Sequence, residues 1–175
     1  AEMKGYQYLN EQGVFQLNNP ELTGYLYFPL ANESGVMASV TPTLGGDNKM
    51  GQNTFLLAAV SSEDLHNNRS TRNFWCHIRG KGIWSATGVS AKQISEVFSE
   101  KKEETLLEAG KMWHKVKRLS KKLGLASEVL SYVPYTKDRV ELMIVTLANE
   151  GEESWSIVPT AAIPLYGRSA DNIRD

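Results

Sequence analysis

The sequence is poor in the residues that form covalent or metal cross-links. Of its 175 residues, one is Cys and three are His. A lone Cys76 cannot form an internal disulfide, which is typical of proteins of a reducing cytoplasm. The spacings of His66, His77 and His114 match no known zinc motif. The sequence therefore predicts neither a disulfide framework nor a metal site.

Long hydrophobic runs and an excess of charge are also missing. No apolar run approaches the ~20 residues that a membrane helix needs, and the first ten residues contain no apolar signal core. The net charge of -1 excludes a global field that would favour nucleic acid or a membrane surface. We therefore expect a cytoplasmic domain that has neither nucleic acid nor membrane as a partner.

Catalytic arrangements are equally scarce. Hydrolysis of a glycosidic bond usually needs two carboxyl groups that flank the bond. The pairs Glu63–Asp64 and Glu103–Glu104 are adjacent in sequence, so their side chains diverge on a strand, and we expect solvated charges. The run Thr43–Asp47 lacks the Lys-Ser/Thr ending of a phosphate loop, so we interpret it as a turn. No residue of this chain is predicted to be catalytic.

What the sequence does contain is a series of short β-favouring runs separated by turn residues. The first three are Tyr25–Leu30, Val36–Val40 and Thr54–Val60, and between them lie loops rich in Gly, Asn, Ser and Pro. This spacing predicts a mainly β protein folded as an antiparallel β-sandwich with few helical residues. Further strands are predicted at Asn73–Arg79, Leu125–Val133, Val140–Ala148 and Trp155–Leu165.

Side-chain patterns predict where some of these strands lie. Val140–Ala148 is almost continuously apolar, which predicts a buried strand. Pro159 and Pro164 favour an edge or a bulge for the last strand, and Pro29 favours the end or the edge of the first. In Asn73–Arg79, Phe74, Cys76 and Ile78 alternate with Trp75, His77 and Arg79.

Residues 90–124 give conflicting signals. Ile94, Val97 and Phe98 have helical spacing, and Glu and Lys fill the gaps. After Gly110, the alternation through Leu119 favours a strand. We predict mostly strand from Gly110 onward and leave residues 90–108 open between helix and strand.

The chain divides into three parts by composition. Residues 1–23 form an extended lead-in that supplies one or two strands, and residues 24–166 form the sandwich. Residues 167–175 have no closing element of their own, so we expect them to begin a connection to another domain.

Several runs resemble one enzyme family. YFPLANESGVM, TPTLGGD, QNTFLL, SSEDLHNNRSTRNFW and PTAAIPLYGRSADNIRD are similar to inverting phosphorylases of glycoside hydrolase family 94, most of all to 1,2-β-oligoglucan (sophorose-type) phosphorylases. The resemblance covers residues 22–175. It implies the family's N-terminal domain, a super-sandwich of the galactose-mutarotase-like type, which precedes an (α/α)6-barrel that carries the general acid. Family members are much longer than this chain.

The resemblance also implies a function. The parent enzyme would cleave a β-linked glucoside with phosphate as co-substrate and release α-glucose 1-phosphate with inversion. No cofactor is implied. The implied partners are the chain's own barrel, a β-glucan oligosaccharide and a second subunit of a homodimer. The sandwich itself would be non-catalytic, and would support the barrel, the dimer and the sugar-binding entrance.

The loops Thr41–Asn53 and Ser61–Asn73 are the predicted contact surface for the barrel or the sugar. Arg binds carboxylate or phosphate in a bidentate manner, and an exposed Trp stacks on a sugar ring. The candidate residues are Asp47, Arg69, Arg72, Asn73 and Trp84, the last of which we expect to be exposed in a Gly-rich loop. The alternative is that Arg69 and Arg72 form ion pairs with Glu63 and Asp64. Trp75 begins a strand and is expected in the core.

A second class of function remains open on the sequence. A free-standing carbohydrate-binding or protein-interaction sandwich would also use aromatic residues on a sheet face. The length of the full gene separates the two interpretations, because only an enzyme needs several hundred further residues of helical periodicity.

Overall fold

A computed structural model describes residues 5–23, 26–58, 71–166 and 168–169. These residues form fourteen strands, one short α-helix, α1 (Ala91–Glu96), and a 3₁₀ turn at Pro20–Leu22. No helix among them is both long and apolar enough to cross a membrane. The strands are β1 (Tyr6–Tyr8), β2 (Phe15–Asn18), β3 (Phe28–Ala31), β4 (Val36–Val40), β5 (Asn48–Met50), β6 (Thr54–Leu57), β7 (Asn73–Ile78), β8 (Gly82–Ser85), β9 (Glu104–Gly110), β10 (Trp113–Ser120), β11 (Leu125–Tyr132), β12 (Leu142–Asn149), β13 (Ile157–Ala162) and β14 (Arg168–Ser169).

All strand pairs in the described residues are antiparallel, and they form three sheets. The largest sheet has the order β1-β2-β9-β10-β11-β12. The others have the orders β14-β6-β5-β4-β3 and β13-β7-β8. The predicted mainly β, antiparallel fold is therefore confirmed.

The main core is shared by all three sheets. Leu30 and Val40 come from the five-stranded sheet, Ile78 from the three-stranded sheet, and Leu125 and Val129 from the six-stranded sheet. Each is at most 1 % exposed. The period-2 alternation along each strand places these side chains on one face, so burying that face fixes the register.

The lead-in is part of the largest sheet. β2 pairs with β9, so that Phe15 lies opposite Ala109 and Leu17 opposite Leu107. Phe15 and Leu17 then pack on a second buried cluster that contains Phe28, Leu107, Ala109 and Val116. Residues 1–23 were expected to supply one or two strands, and the structure has two, β1 and β2. At the other end, β14 adds to β6 rather than leaving the sheets.

Residues 90–108, which the sequence left open between helix and strand, contain both a helix, α1, and the start of a strand, β9. α1 begins after Ser90, whose hydroxyl accepts a hydrogen bond from the amide of Gln93 in a capping box. β9 then begins at Glu104, before the predicted boundary at Gly110. Leu107 and Ala109 are fully buried. Because that burial outweighs the helical propensity of Glu, Leu and Ala, the segment is a strand.

The predicted buried strand at Val140–Ala148 is wrong in its position. β12 lies at the edge of the six-stranded sheet and pairs only with β11 among the described residues. Leu142 and Ile144 are 38 % and 48 % exposed. Its apolar composition is typical of a strand in the interior of a sheet. In the described residues, however, β12 has a neighbouring strand on one side only. By contrast, the edge positions expected from Pro29 in β3 and Pro159 in β13 are confirmed.

Candidate functional site

The loop after β4 is a tight turn, as its sequence predicts. Gly46 has a φ of 122°, and a Cβ on it would lie 1.8 Å from the carbonyl oxygen of Ser39. Leu44 has a left-handed φ of 62° although it carries a side chain. That side chain is buried in the main core, which holds the strained backbone in place. Gly46 of this run therefore serves backbone geometry.

Arg72 binds this loop from the inside. Its guanidinium donates to the carbonyl oxygens of Leu44 and Gly46 at 3.4 Å each and to that of Asp47 at 3.1 Å. Its backbone amide donates to Leu44 at 3.0 Å. Arg72 therefore adds side-chain donors to three carbonyls of the turn, two of which also accept a backbone hydrogen bond, Leu44 from Arg72 and Asp47 from Ser39.

Glu141 neutralises the charge of Arg72. Nε of Arg72 donates to Oε1 of Glu141, and Nη2 donates to Oε2 at 2.9 Å, so the pair is bidentate. The amide of Asn48 also donates to Oε2. The Arg72 side chain is 2 % exposed and that of Glu141 is 10 % exposed. We call Asn48, Arg72, Glu141 and the carbonyls of residues 44–47 the Arg72 cluster.

These contacts correct the expectation of an exposed Arg72 in a polar loop. Arg72 is buried and its ion-pair partner is Glu141, while Glu63, Asp64 and Arg69 lie outside the described residues. Pro42, Gly45, Gly46 and Asn48 are buried as well. Between residues 41 and 48 of the predicted contact surface, only Thr41, Thr43 and Asp47 remain half-buried, and the other residues are buried in the domain.

Asp47 and Asn73 lie beside this cluster. A carboxylate oxygen of Asp47 accepts a hydrogen bond from the hydroxyl of Ser39 at 2.7 Å, and the same hydroxyl accepts from the Asp47 amide. The Asn73 side chain donates to the carbonyl of Thr71 at 3.0 Å. The fold therefore brings Asp47, Arg72 and Asn73 into one neighbourhood, where they form hydrogen bonds to other groups of the protein.

Trp84 lies elsewhere and is buried, which corrects the expectation that it is exposed. It stands on β8, is 4 % exposed and packs in the main core. Its indole nitrogen donates to Glu103 at 2.8 Å. The other carboxylate oxygen of Glu103 accepts from Gln93 at 2.7 Å. Glu103 is thus a partly buried acceptor rather than a solvated loop charge.

Arg118 completes a second polar cluster around Glu103. Its Nη1 lies 3.6 Å from Glu103, and the side chain is 6 % exposed. A Cβ on Gly88 would lie 2.2 Å from its guanidinium, so only glycine leaves room for this side chain. Burial lowers the pKa of Arg118, and the carboxylates of Glu21 and Glu103 oppose this effect. We call Trp84, Gln93, Glu103 and Arg118 the Arg118 cluster.

His114 is a buried histidine on β10. Its Nε2 donates to the carbonyl oxygen of Thr41 at 3.2 Å, and its Nδ1 has no hydrogen-bond partner among the described residues. Burial lowers the pKa of His114 to about 4, and the positive charge of Arg72 adds to this effect, while the Thr41 carbonyl opposes it. His114 is therefore neutral at pH 7.

Trp75 is on the outer face of the three-stranded sheet, so its expected place in the core is wrong. Cys76 and Ile78 are 0 % and 1 % exposed and point inward, which directs Trp75 and His77 outward on β7. Trp75, His77, Ile83 and Thr160 line a shallow depression of about 370 Å³. We call these four residues the Trp75 face. The alternation of Phe74, Cys76 and Ile78 in the sequence was the signal that could have placed Trp75 on the outer face.

The two clusters and the Trp75 face differ in what they can do chemically. The carboxylates of Glu103 and Glu141 are occupied by buried donors, and Glu104 forms an ion pair with Lys121 on the surface. Within the described ranges, no group of three or more His, Cys, Asp or Glu side chains is placed to hold a metal ion. The Trp75 face combines an aromatic ring, an imidazole and a hydroxyl, which can stack on and hydrogen-bond to a sugar.

No protein-family model and no curated protein matches this chain.

Proposed function

We propose that this chain is the N-terminal β-sandwich domain of a cytoplasmic, inverting β-glucoside phosphorylase and is non-catalytic by itself. The supporting observation is how two family-like runs meet. Arg72 in RSTRNFW lies 25 to 28 positions after the three residues of TPTLGGD whose carbonyls it binds, which are Leu44, Gly46 and Asp47. The resemblance therefore falls on residues that hold the domain together.

In this proposal the chemistry belongs to the barrel. Phosphate attacks the anomeric carbon, and a carboxylic acid of the barrel protonates the leaving oxygen. The sandwich supports the barrel and the homodimer and forms part of the sugar-binding entrance. The binding of Glu103 and Glu141 by buried donors fits this division, because neither carboxylate is free to transfer a proton to a sugar.

The first test measures activity in two proteins. We expect the 175-residue chain to release no α-glucose 1-phosphate from sophorose or from longer β-1,2-glucans in phosphate buffer. We expect the full-length protein to release it. Activity of the short chain would overturn the non-catalytic assignment, and inactivity of a folded full-length protein on all β-glucosides would overturn the enzyme class.

The Trp75 face favours a second candidate, a carbohydrate-binding domain without an attached enzyme. The observation is an indole that is half-buried on an open sheet face, beside the exposed side chains of His77, Ile83 and Thr160. A sugar ring can stack on an indole such as that of Trp75 without a partner domain.

Titration of β-gluco-oligosaccharides into the 175-residue chain tests this candidate, with tryptophan fluorescence and NMR shifts as readouts. Binding that is lost in Trp75→Ala and kept in Trp113→Ala would support it, because Trp113 is a half-buried tryptophan on another sheet. Absence of binding, together with activity of the full-length protein, would leave the phosphorylase domain as the function.

A further inference from the structure

The connection between β11 and β12 is an exposed loop that is held from inside the domain. Its residues 135–140 are exposed, and the side chain of Tyr135 is 84 % exposed. At one end of the loop, Val133 is buried in the main core. At the other end, Glu141 is the carboxylate of the Arg72 cluster. We call residues 134–140 the Tyr135 loop.

A side chain from another turn fixes the middle of the Tyr135 loop. The amide nitrogen of Asn32, between β3 and β4, donates to three carbonyl oxygens of the loop. They belong to Pro134, Thr136 and Asp138, at 3.0, 2.9 and 2.9 Å. The amide oxygen of Asn32 accepts from the backbone amide of Ser34 at 3.0 Å and from its hydroxyl at 2.6 Å. Both ends of this amide are bonded, so its nitrogen faces the loop.

These bonds restrain a loop that buries little surface of its own. Ordering a residue costs conformational entropy, which core residues offset by burial. In the Tyr135 loop, Asn32 and the Arg72 cluster supply the restraint instead. The three carbonyls face Asn32, while the side chains of residues 135–140 are exposed to solvent. A loop that is ordered in advance loses less entropy when it binds a ligand.

The exposed side chains of this loop suit the recognition of a sugar. Tyr135 presents an aromatic ring, and neither Lys137 nor Arg139 forms an ion pair within the described residues. The carboxylate of Asp138 accepts from the hydroxyl of Thr136 at 2.7 Å. An aromatic ring stacks on the apolar face of a sugar, and donors and acceptors together bind its hydroxyl groups.

The same composition disfavours two other classes of ligand. The cores of protein interfaces are depleted in Lys and Asp, and Lys137 and Asp138 are both exposed here. An anion would need cations alone, whereas this loop carries charges of both signs. An uncharged ligand with many hydroxyl groups fits the loop best.

We infer that the Tyr135 loop binds the oligosaccharide chain of the proposed phosphorylase, with Tyr135 as the stacking residue and Asn32 as the positioning residue. The sugar as ligand rests on the proposed function, because the chain has to extend from the catalytic site of the barrel. The loop touches sugar units away from the cleaved bond, so it contributes to binding rather than to the chemical step. The predicted contact surface thus moves from residues 41–48, most of which are buried, to an exposed loop.

Steady-state kinetics of the full-length protein test the ligand. Tyr135→Ala should raise KM for long β-1,2-glucans about two- to tenfold, as expected for one lost aromatic contact. KM for phosphate and kcat should not change, because only the binding of sugar is lost. The effect on sophorose should be smaller, since a disaccharide extends less far from the catalytic site. Tyr8→Ala is the matched control, because Tyr8 is 63 % exposed on β1, at the other edge of the sheet.

Asn32→Asp tests the positioning of the loop. This change keeps the size of the side chain and the acceptor for Ser34, but it replaces the donor with an oxygen that the three carbonyls repel. In the 175-residue chain, we expect the backbone order parameters of the loop to fall from about 0.8 to below about 0.6. In the full-length protein, the same variant should raise KM for long glucans at constant kcat.

Asn149→Asp is the matched control for this change. Asn149 also donates to a carbonyl oxygen, that of Glu153 at 2.8 Å, but in another loop. It should leave both the order parameters of the Tyr135 loop and KM unchanged. A wild-type loop that is already flexible, or one that stays rigid in Asn32→Asp, overturns the positioning role.

The kinetic outcomes separate the loop from the enzyme class. An unchanged KM of Tyr135→Ala for long glucans overturns the loop as a sugar site. A fall in kcat and in the melting temperature of the full-length protein, without a rise in KM, also overturns it and identifies a contact between domains. A folded full-length protein without activity overturns the proposed function and, with it, the sugar as ligand. In that case the order parameters still decide the role of Asn32.

Discussion

The two arginines that are buried in the described residues are held in different ways. Arg72 donates from Nε and both terminal nitrogens to Glu141 and to three loop carbonyls. Arg118 lies 3.6 Å from Glu103, and its Nε has no partner within the described residues. A buried charge is stable only when it is paired and hydrogen-bonded. The comparison teaches that Arg72 orders a loop, whereas Arg118 fills a polar pocket whose other members already bind one another.

The largest expected effect is that of Arg72→Ala. It leaves Glu141 buried without its cationic partner and removes the guanidinium donors of three turn carbonyls, so we expect the free energy of unfolding to fall by about 3–5 kcal/mol. Arg79→Ala, at an exposed position directly after β7, should change it by less than about 0.5 kcal/mol. Urea denaturation at pH 7 measures both.

A double substitution shows whether the unpaired charge is the cause. Arg72→Met with Glu141→Leu should be more stable than Arg72→Ala, since it removes both charges. If the double variant is no more stable than the single one, the loop carbonyls rather than Glu141 account for the loss.

We expect acid to destabilise the folded protein through His114, which is next to the Arg72 cluster. The unfolded chain binds a proton near pH 6.5, whereas the folded protein binds it near its pKa of about 4. Stability is therefore complete above pH 6.5 and decreases as the pH falls towards 4, by about 3 kcal/mol in total. Melting temperatures across this range measure the effect. The decrease should become smaller in His114→Gln, and an unchanged pH dependence in that variant would contradict the assignment.

Trp84→Phe probes the Arg118 cluster. It removes the indole donor of Glu103, so we expect a loss of about 2 kcal/mol, as for a hydrogen bond to a charged group. Trp113→Phe, on an outer sheet face, serves as control and should lose less. Equal losses would mean that the bond to Glu103 contributes little.

Arg118→Met should have the smallest effect of the substitutions at the buried clusters, about 1 kcal/mol. Glu103 keeps its hydrogen bonds to Trp84 and Gln93, and one buried, incompletely bonded charge is removed. Lys117→Met, one residue earlier and facing outward, gives the background value. If Arg118→Met costs as much as Arg72→Ala, the contrast between the two clusters fails.

Part of this arrangement was predictable from local sequence. The strands from Val36 to Val40 and from Leu125 to Tyr132 follow from alternating apolar residues, and the turn after β4 follows from Gly46. The capping box of Ser90 and Gln93 was readable too, and it indicates where α1 begins. These features depend on residues within one turn or one strand, so no distant contact changes them.

The candidate site was less predictable, because polar residues in a loop do not reveal which way they point. Arg72 was expected on the surface, but its partner Glu141 lies 69 positions away in the chain. Trp75 and Trp84 exchanged their expected places, although the alternation in β7 already directs Trp75 away from Cys76. Short motifs predict chemical type, while burial depends on which elements pack together.

The sequence by itself determined a mainly antiparallel β domain with turns at its glycines and prolines, since period-2 patterns and special backbone angles are local properties. Only the tertiary structure decided which charges are buried and which strand lies at an open edge. Arg72 is inside because Glu141 meets it across the fold, and β12 is exposed because no described strand lies beyond it. Such contacts join residues far apart in sequence, and their energies depend on burial that no local pattern contains.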